Sequence, residues 1–316
     1  MKKILRICPV IILTACLLSC NENRYKGSNS TGSRQDTSIT KPPETNLSPQ
    51  QIQEQINKEV SQALSASGDS IQVEAAMVIA ETHNAIQYLV DSNYESATKA
   101  IERAIGKAEV ITTANPDIGL MPVERHVVVR DLLTDMETLK KARDDVEDLT
   151  DEGYLQDARK LIEVMVSEIN INTVDLPLQT YPDALKAAVV LTRERKPADA
   201  ALLLNTALNT MVVEERVIPL PLVRAELMLA VADSLIAKNG NEEDIDLLLD
   251  NADYQIRFAE ELGYGKRDEE FKELYDDIKR LKKEVKDKGS DRQNIVTRLR
   301  SRLTAFKNRV SPETKQ

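Results

Sequence analysis

Residues 71–105 read IQVEAAMVIAETHNAIQYLVDSNYESATKAIERAI, and this stretch decides the fold class. Val78, Ile79, Thr82, Ala85, Ile86 and Leu89 recur at helical spacing with no proline among them, which predicts an amphipathic helix over residues 71–90. Asp91, Ser92 and Asn93 supply turn and cap chemistry. Tyr94, Ala97, Ala100, Ile101, Ala104 and Ile105 then open a second helix. Two helices joined this closely fold back on one another by default, so the stretch reads as a helical hairpin.

The same grammar returns twice. Asn93, Tyr94 and Ala97 compare with Gly153, Tyr154 and Ala158, and again with Lys196, Pro197 and Ala200. In each case a tight turn precedes an alanine that is followed four residues later by Ile101, Ile162 or Leu204. Some 20 residues on, each unit reaches a proline beside leucine or methionine, at Leu120 to Pro122, Leu176 to Leu178 and Leu220 to Leu222. The alanines lie 61 and then 42 residues apart, so the array is degenerate and not a solenoid of fixed period. Two stretches depart from helical spacing. Residues 124–131 contain Val127, Val128 and Val129, and residues 167–174 alternate Ile169 and Ile171 with Asn170 and Asn172. The expectation is two short strands paired as a small ribbon, the alternative being valines that extend a buried helix.

Near the C-terminus, Phe271, Leu274, Ile278, Leu281 and Val285 are spaced 3, 4, 3, 4, and Val296, Leu299, Leu303, Phe306 and Val310 repeat that spacing. Gly289 and Ser290 separate the two runs. Each run is a narrow apolar seam on a charged helix, and together they predict an antiparallel heptad hairpin. So short a pair is marginal in water alone, so the seams must meet the main body or another subunit; self-association is expected on this ground. The fold class is therefore mainly α: antiparallel helical hairpins in an irregular repeat-like array, a two-stranded β ribbon, and a C-terminal heptad hairpin.

At the other end, Lys2, Lys3 and Arg6 precede an apolar run, Ile7 to Leu18, which closes on Ser19 and Cys20. The run is well short of the roughly 20 apolar residues a bilayer span needs, and its layout resembles the lipobox signals of bacterial lipoproteins. That resemblance implies cleavage before Cys20 and lipid, palmitate included, on its thiol, with the bilayer as a partner through this anchor. Asn21 in place of aspartate leans toward an outer-membrane anchor facing the periplasm. Cys8 and Cys16 leave with the signal, so no disulfide or thiol nucleophile is expected in the mature chain. Residues 21–49 are Ser, Thr, Asn, Gly and Pro with almost no large apolar residue, which predicts a disordered tether reaching about 30 Å. The expected organisation is a signal at 1–19, lipidated cysteine and linker at 20–49, a helical domain at 50–266 and the charged hairpin at 267–316.

Composition excludes further classes. The formal charge of −10 becomes −13 without Lys2, Lys3 and Arg6, which opposes nucleic-acid binding. Aromatics are 3% with no Trp, which disfavours a sugar-stacking site and a β sandwich. The only histidines, His83 and His126, are far apart, so neither a multi-histidine metal site nor a Ser-His-Asp triad is expected, and no cofactor or metal is assigned. Asn241, Glu242, Glu243 and Asp244 lack the ligand alternation of an EF-hand and read as negative charge opening a helix. Gly263, Tyr264 and Gly265 follow no strand and read as a helix-ending turn. Asp144 with Asp145, and Asp276 with Asp277, lie on charged helices and are expected to be solvated. Tyr181, Arg224 and Tyr264 stand near the proline steps and are the candidates to line a cleft, against core packing or a satisfied hydrogen bond.

Thr180, Tyr181, Pro182, Asp183, Ala184 and Leu185, then Val217, Ile218, Pro219, Leu220, Pro221 and Leu222 through Ala225 and Glu226, resemble the YfdX family of bacterial envelope proteins. Residues 259–265, AEELGYG, resemble the same family's closing motif. The resemblance spans about residues 71–310 and implies a largely helical exported protein, linked with stress-response gene neighbourhoods and without an established activity. It carries no catalytic residue over. The expected function is a membrane-tethered, non-enzymatic binding or chaperone-like envelope lipoprotein for peptides, unfolded proteins or small apolar ligands. The alternatives are a scaffold recruiting envelope proteins and a glycan hydrolase built on two carboxylates.

Overall fold

A computed structural model of the chain describes residues 46–65, 69–265 and 269–315. The signal, Cys20 and the tether as far as residue 45 lie outside the described residues. The folded part opens at Ser48, whose hydroxyl accepts the Gln51 N–H at 3.2 Å while Gln51 Oε1 accepts the Ser48 N–H at 2.8 Å. This reciprocal capping box, with Pro49 in the first helical position, starts α1 (Pro49–Ser65).

Ten further helices form five hairpins among the described residues: α2 (Asp69–Val90) with α3 (Tyr94–Ala114), α4 (Met136–Asp151) with α5 (Leu155–Val164), α6 (Tyr181–Arg193) with α7 (Pro197–Leu208), α8 (Leu220–Ala237) with α9 (Glu242–Glu261), and α10 (Glu269–Lys286) with α11 (Arg292–Arg309). All five close with one turn. A left-handed residue, Ser92, Gly153, Arg195, Asn239 or Lys288, follows the first helix. The next amide reaches back five residues, as in Asn93 to the Tyr88 carbonyl at 2.8 Å, Tyr154 to Leu149 at 2.8 Å and Lys196 to Leu191 at 3.0 Å. Two orphan carbonyls are thereby satisfied at each helix end.

The hairpins assemble into two four-helix bundles. In the first, α2 packs on α3, α3 on α6, α6 on α7 and α7 back on α2. Its interior is rich in alanine, and Ala85, Ala97, Ala100, Ala104, Ala188 and Ala200 are wholly buried, which lets the backbones approach closely. In the second, α8 packs on α9, α9 on α10, α10 on α11 and α11 back on α8. The C-terminal seams meet the rest of the chain here: Phe271, Leu274, Ile278, Leu281, Val285, Val296, Leu299, Leu303 and Phe306 are all buried in one core with residues of α8 and α9. Phe271 and Phe306 meet edge to face, centroids 4.7 Å apart. Burial of such side chains contributes roughly 1.5–3 kcal/mol each, so the seam and not its surface charge holds the hairpin in place.

The expected ribbon is part of a larger antiparallel sheet in the order β1 (Leu120–Arg130), β2 (Glu168–Pro177), β3 (Val212–Pro219) and the three-residue β4 (Glu313–Lys315). The anticipated pair is present, with Val127 opposite Ile171 and Val129 opposite Ile169. β3 was not anticipated because VVEERVIP places three charges in a row and lacks a period of two. Its pairing with strands on both sides supplies the strand. Ile56 of α1 packs on Ile169, Ile171 and Ile218, so α1 covers one face of the sheet.

The degenerate repeat thus has a definite content. Three units run helix, turn, helix, strand, as α2-α3-β1, α4-α5-β2 and α6-α7-β3. The left-handed turn residue lies five positions before the buried alanine each time, at Ser92 and Ala97, Gly153 and Ala158, Arg195 and Ala200. Asn241 caps α9 by accepting the Glu243 N–H at 3.2 Å, with Glu242, Glu243 and Asp244 in the first turn. Gly263, at φ +86°, ends the same helix.

Candidate functional site

The three residues expected at a cleft do not share one. Tyr181 begins α6 inside the first bundle at 1% exposure, and its hydroxyl hydrogen-bonds to Thr82 Oγ1 at 2.9 Å. Thr82 in turn donates to the Val78 carbonyl at 2.9 Å. Burial pushes the Tyr181 phenol up to about 12, so it remains a neutral core group at physiological pH.

Arg224 and Tyr264 do meet, through Ser167. The Arg224 guanidinium donates to Asp131 Oδ2 at 2.5 Å, and the Ser167 hydroxyl donates to Asp131 Oδ1 at 2.8 Å. The Ser167 N–H donates to the Tyr264 hydroxyl at 3.0 Å, and Tyr264 donates onward to Glu168 Oε2 at 2.8 Å. Arg130 pairs with the other Glu168 oxygen at 3.1 Å, and the Ser167 carbonyl accepts the Leu220 N–H at 3.0 Å. Burial, followed by the adjacent Glu168 carboxylate, holds the Tyr264 phenol well above its ordinary value. Two cations and two carboxylates balance here, and the network ties β1, β2, the start of α8 and the turn after α9 together. It is a junction of mutually satisfied groups.

A second polar cluster, which sequence reasoning missed, lines a cavity of about 440 Å³ between α1, β3, α8 and α11. Lys58, Arg216, Arg300 and Lys307 face it together with Glu59 and Glu226. Lys307 is 6% exposed, and its ammonium lies 3.1 Å from Glu59 Oε1 and 2.5 Å from Glu226 Oε2. Thr304 donates to the second Glu226 oxygen at 2.6 Å, Arg300 pairs with Asp233, and Arg216 Nε donates to the Ser311 carbonyl at 3.2 Å. Cations outnumber carboxylates in this lining although the chain as a whole is acidic. The signal that could have pointed to it is Arg300 and Lys307, seven residues apart beside the α11 seam. Glu59, a partner of Lys307, is 248 residues away and no local pattern links the two.

His83 and His126 stand apart on α2 and β1, both exposed, His126 Nε2 being 3.0 Å from Glu124 Oε1. Among the described residues no three His, Cys, Asp or Glu side chains are grouped to hold a metal ion. Asp144, Asp145 and Asp276 are exposed as expected, but Asp277 is not solvated. It is 9% exposed and pairs with Arg302 at 2.7 Å and Arg298 at 3.4 Å, because α11 lies against that flank of α10. No helix among the described residues is long and apolar enough to cross a membrane.

Two helical bundles about a small antiparallel sheet, with polar clusters satisfied by their own neighbours, define a mainly α bundle protein. Within it, residues 78–217 match the family described as YfdX protein, so the chain carries a YfdX domain there. The matched segment holds most of the first bundle, the α4–α5 hairpin and the three long strands, and is shorter than the 71–310 expected. The second bundle and the 259–265 motif lie beyond it. A solved structure of Salmonella Typhi YfdX is 17% identical over 48% of this chain and 93% of that one, at a TM-score of 0.34, which is too distant to bear on the fold. No curated protein matches the chain.

Proposed function

We propose that this chain is a non-enzymatic binding protein of the bacterial envelope, held at the outer membrane by lipid on Cys20, and that the cavity between α1, β3, α8 and α11 is where it binds. The observation that carries this reading is the lining itself. Four cationic and two anionic side chains converge from separate elements on one space of about 440 Å³, within the range that small-molecule sites occupy. With Arg300 already paired to Asp233, the lining keeps one uncompensated positive charge, which favours a small polar ligand bearing a carboxylate or comparable anion, in place of the peptides, unfolded proteins or small apolar ligands expected from the amphipathic helices.

The reading is tested by native mass spectrometry of the lipid-anchored protein extracted from its own envelope. The expected result is an acidic molecule of defined mass that is lost on Arg216→Ala. Protein carrying no such molecule, and giving no thermal shift with a panel of small carboxylates, overturns it. Release of reducing ends from cell-wall glycan would replace it with the hydrolase reading.

A further inference from the structure

The sheet has one long free edge among the described residues. β4 at one side is three residues long, whereas β1 at the other runs eleven residues with no strand beyond it. Such an edge is a row of unpaired amides and carbonyls, which proteins ordinarily blunt with proline, a bulge or charge. Here Pro122, the register shift between Pro122 and Glu124 and the packing of Met121 and Val123 against α2 cover the start of the strand, and the rest carries charge at Glu124, Arg125 and Arg130 that a partner must match. From Glu124 to Arg130 the strand is regular and carries three valines in succession, of which Val128 and Val129 are 49% and 46% exposed.

The geometry points to a second copy of this chain as the occupant of that edge, the two β1 strands pairing antiparallel about a twofold axis at Val127. In this register Val127 faces its own counterpart, Arg125 faces Val129 of the other copy, and Glu124 faces Arg130 of the other copy. Two opposite-charge pairs result. Moving the axis one residue, to Val128, would instead set His126 against Arg130 and leave Glu124 opposite no residue of the strand. The strand is therefore self-complementary in one register. A second observation agrees with it. The Arg125 guanidinium holds the Leu64 carbonyl at 3.0 Å, which fixes the end of α1 beside the edge, and Leu64 is 41% exposed. The other copy's exposed Val129 arrives opposite Arg125, next to this exposed leucine. The two sheets then become one continuous sheet.

The test uses the full-length chain in detergent. Val127→Cys is expected to form a disulfide-linked dimer under mild oxidation, above any background from the parent cysteines, because directly opposed Cα atoms of antiparallel strands lie about 4.5–5.5 Å apart. Val128→Cys, more exposed but two positions out of step with its own counterpart, is expected not to link. Glu124→Arg should raise the dimer dissociation constant about tenfold by turning both attractive pairs repulsive, and Glu124→Gln, which only removes them, should raise it less. A monomer at all concentrations, linkage at 128 in preference to 127, or an extended peptide of another protein bound along this edge would each overturn the proposal. The melting temperature of each variant separates loss of pairing from loss of fold.

Discussion

The α4–α5 and α10–α11 hairpins look alike as sequences and behave differently as structures. Both are heavily charged, both carry an apolar stripe, and both close on a left-handed residue, Gly153 in one and Lys288 in the other. Yet α10–α11 buries nine of its ten seam residues, Val310 being partly buried, by completing a bundle with α8 and α9. In α4–α5 only Leu139 and Ala158 are buried, while Leu155, Ile162 and Val164 stay more than half exposed. That hairpin is held at its base, by the Asp135 cap and by the Arg143–Glu261 ion pair between α4 and α9. The lesson is that an amphipathic stripe specifies which side of a helix is available for burial. Whether it is buried depends on the partners the topology brings.

The contrast can be broken most forcefully at Phe306. Phe306→Ala removes a wholly buried ring and is expected to cost about 3–5 kcal/mol of global stability in urea denaturation. A loss under about 1 kcal/mol would mean that the C-terminal hairpin is not integral to the second bundle.

A smaller effect is expected at the base of the other hairpin. Asp135 accepts the Thr138 N–H at 2.8 Å, and that hydrogen bond holds its carboxyl below the usual carboxylate range. Asp135→Ala should cost about 1 kcal/mol near neutral pH. Because the folded pKa is the depressed one, the stabilisation is present above the unfolded carboxylate value and disappears as pH falls through the folded value. The parent and the variant should therefore converge in acid, and a pH-independent difference would refute the cap as the cause.

The smallest effect belongs to the exposed stripe. Ile162→Ser on α5 should shift stability by no more than about 0.5 kcal/mol, since the side chain is already 52% exposed. A loss comparable to that of Phe306→Ala would show that a partner covers this face and would erase the distinction between the hairpins.

Much of the helical framework was legible because it is periodic and punctuated. The 71–90 helix, the turn at Ser92 and the restart at Tyr94 follow from apolar spacing and cap chemistry, and the structure has helices at Asp69–Val90 and Tyr94–Ala114. β2 was readable from its alternation and β1 from its valines. β3 was not, since its conformation comes from neighbours on both sides and not from its own pattern. Of the cleft candidates, Arg224 and Tyr264 do converge, but on Ser167 and their own ion-pair partners, and Tyr181 belongs to a core. The cavity lining was illegible because Lys307 sits on a helix that reads as charged surface on either side of its seam. Only the approach of α1 and α8 places it between Glu59 and Glu226.

The sequence by itself determined that this is a protein of short amphipathic helices joined by tight turns, because helical period, caps and turn residues act over a few positions. It also carried the family resemblance that the match over residues 78–217 upholds. Only the tertiary structure decided which stripes are buried and that a third long strand joins the ribbon. It alone gathered a basic-leaning cavity from an acidic chain, because those outcomes depend on contacts between elements far apart in sequence.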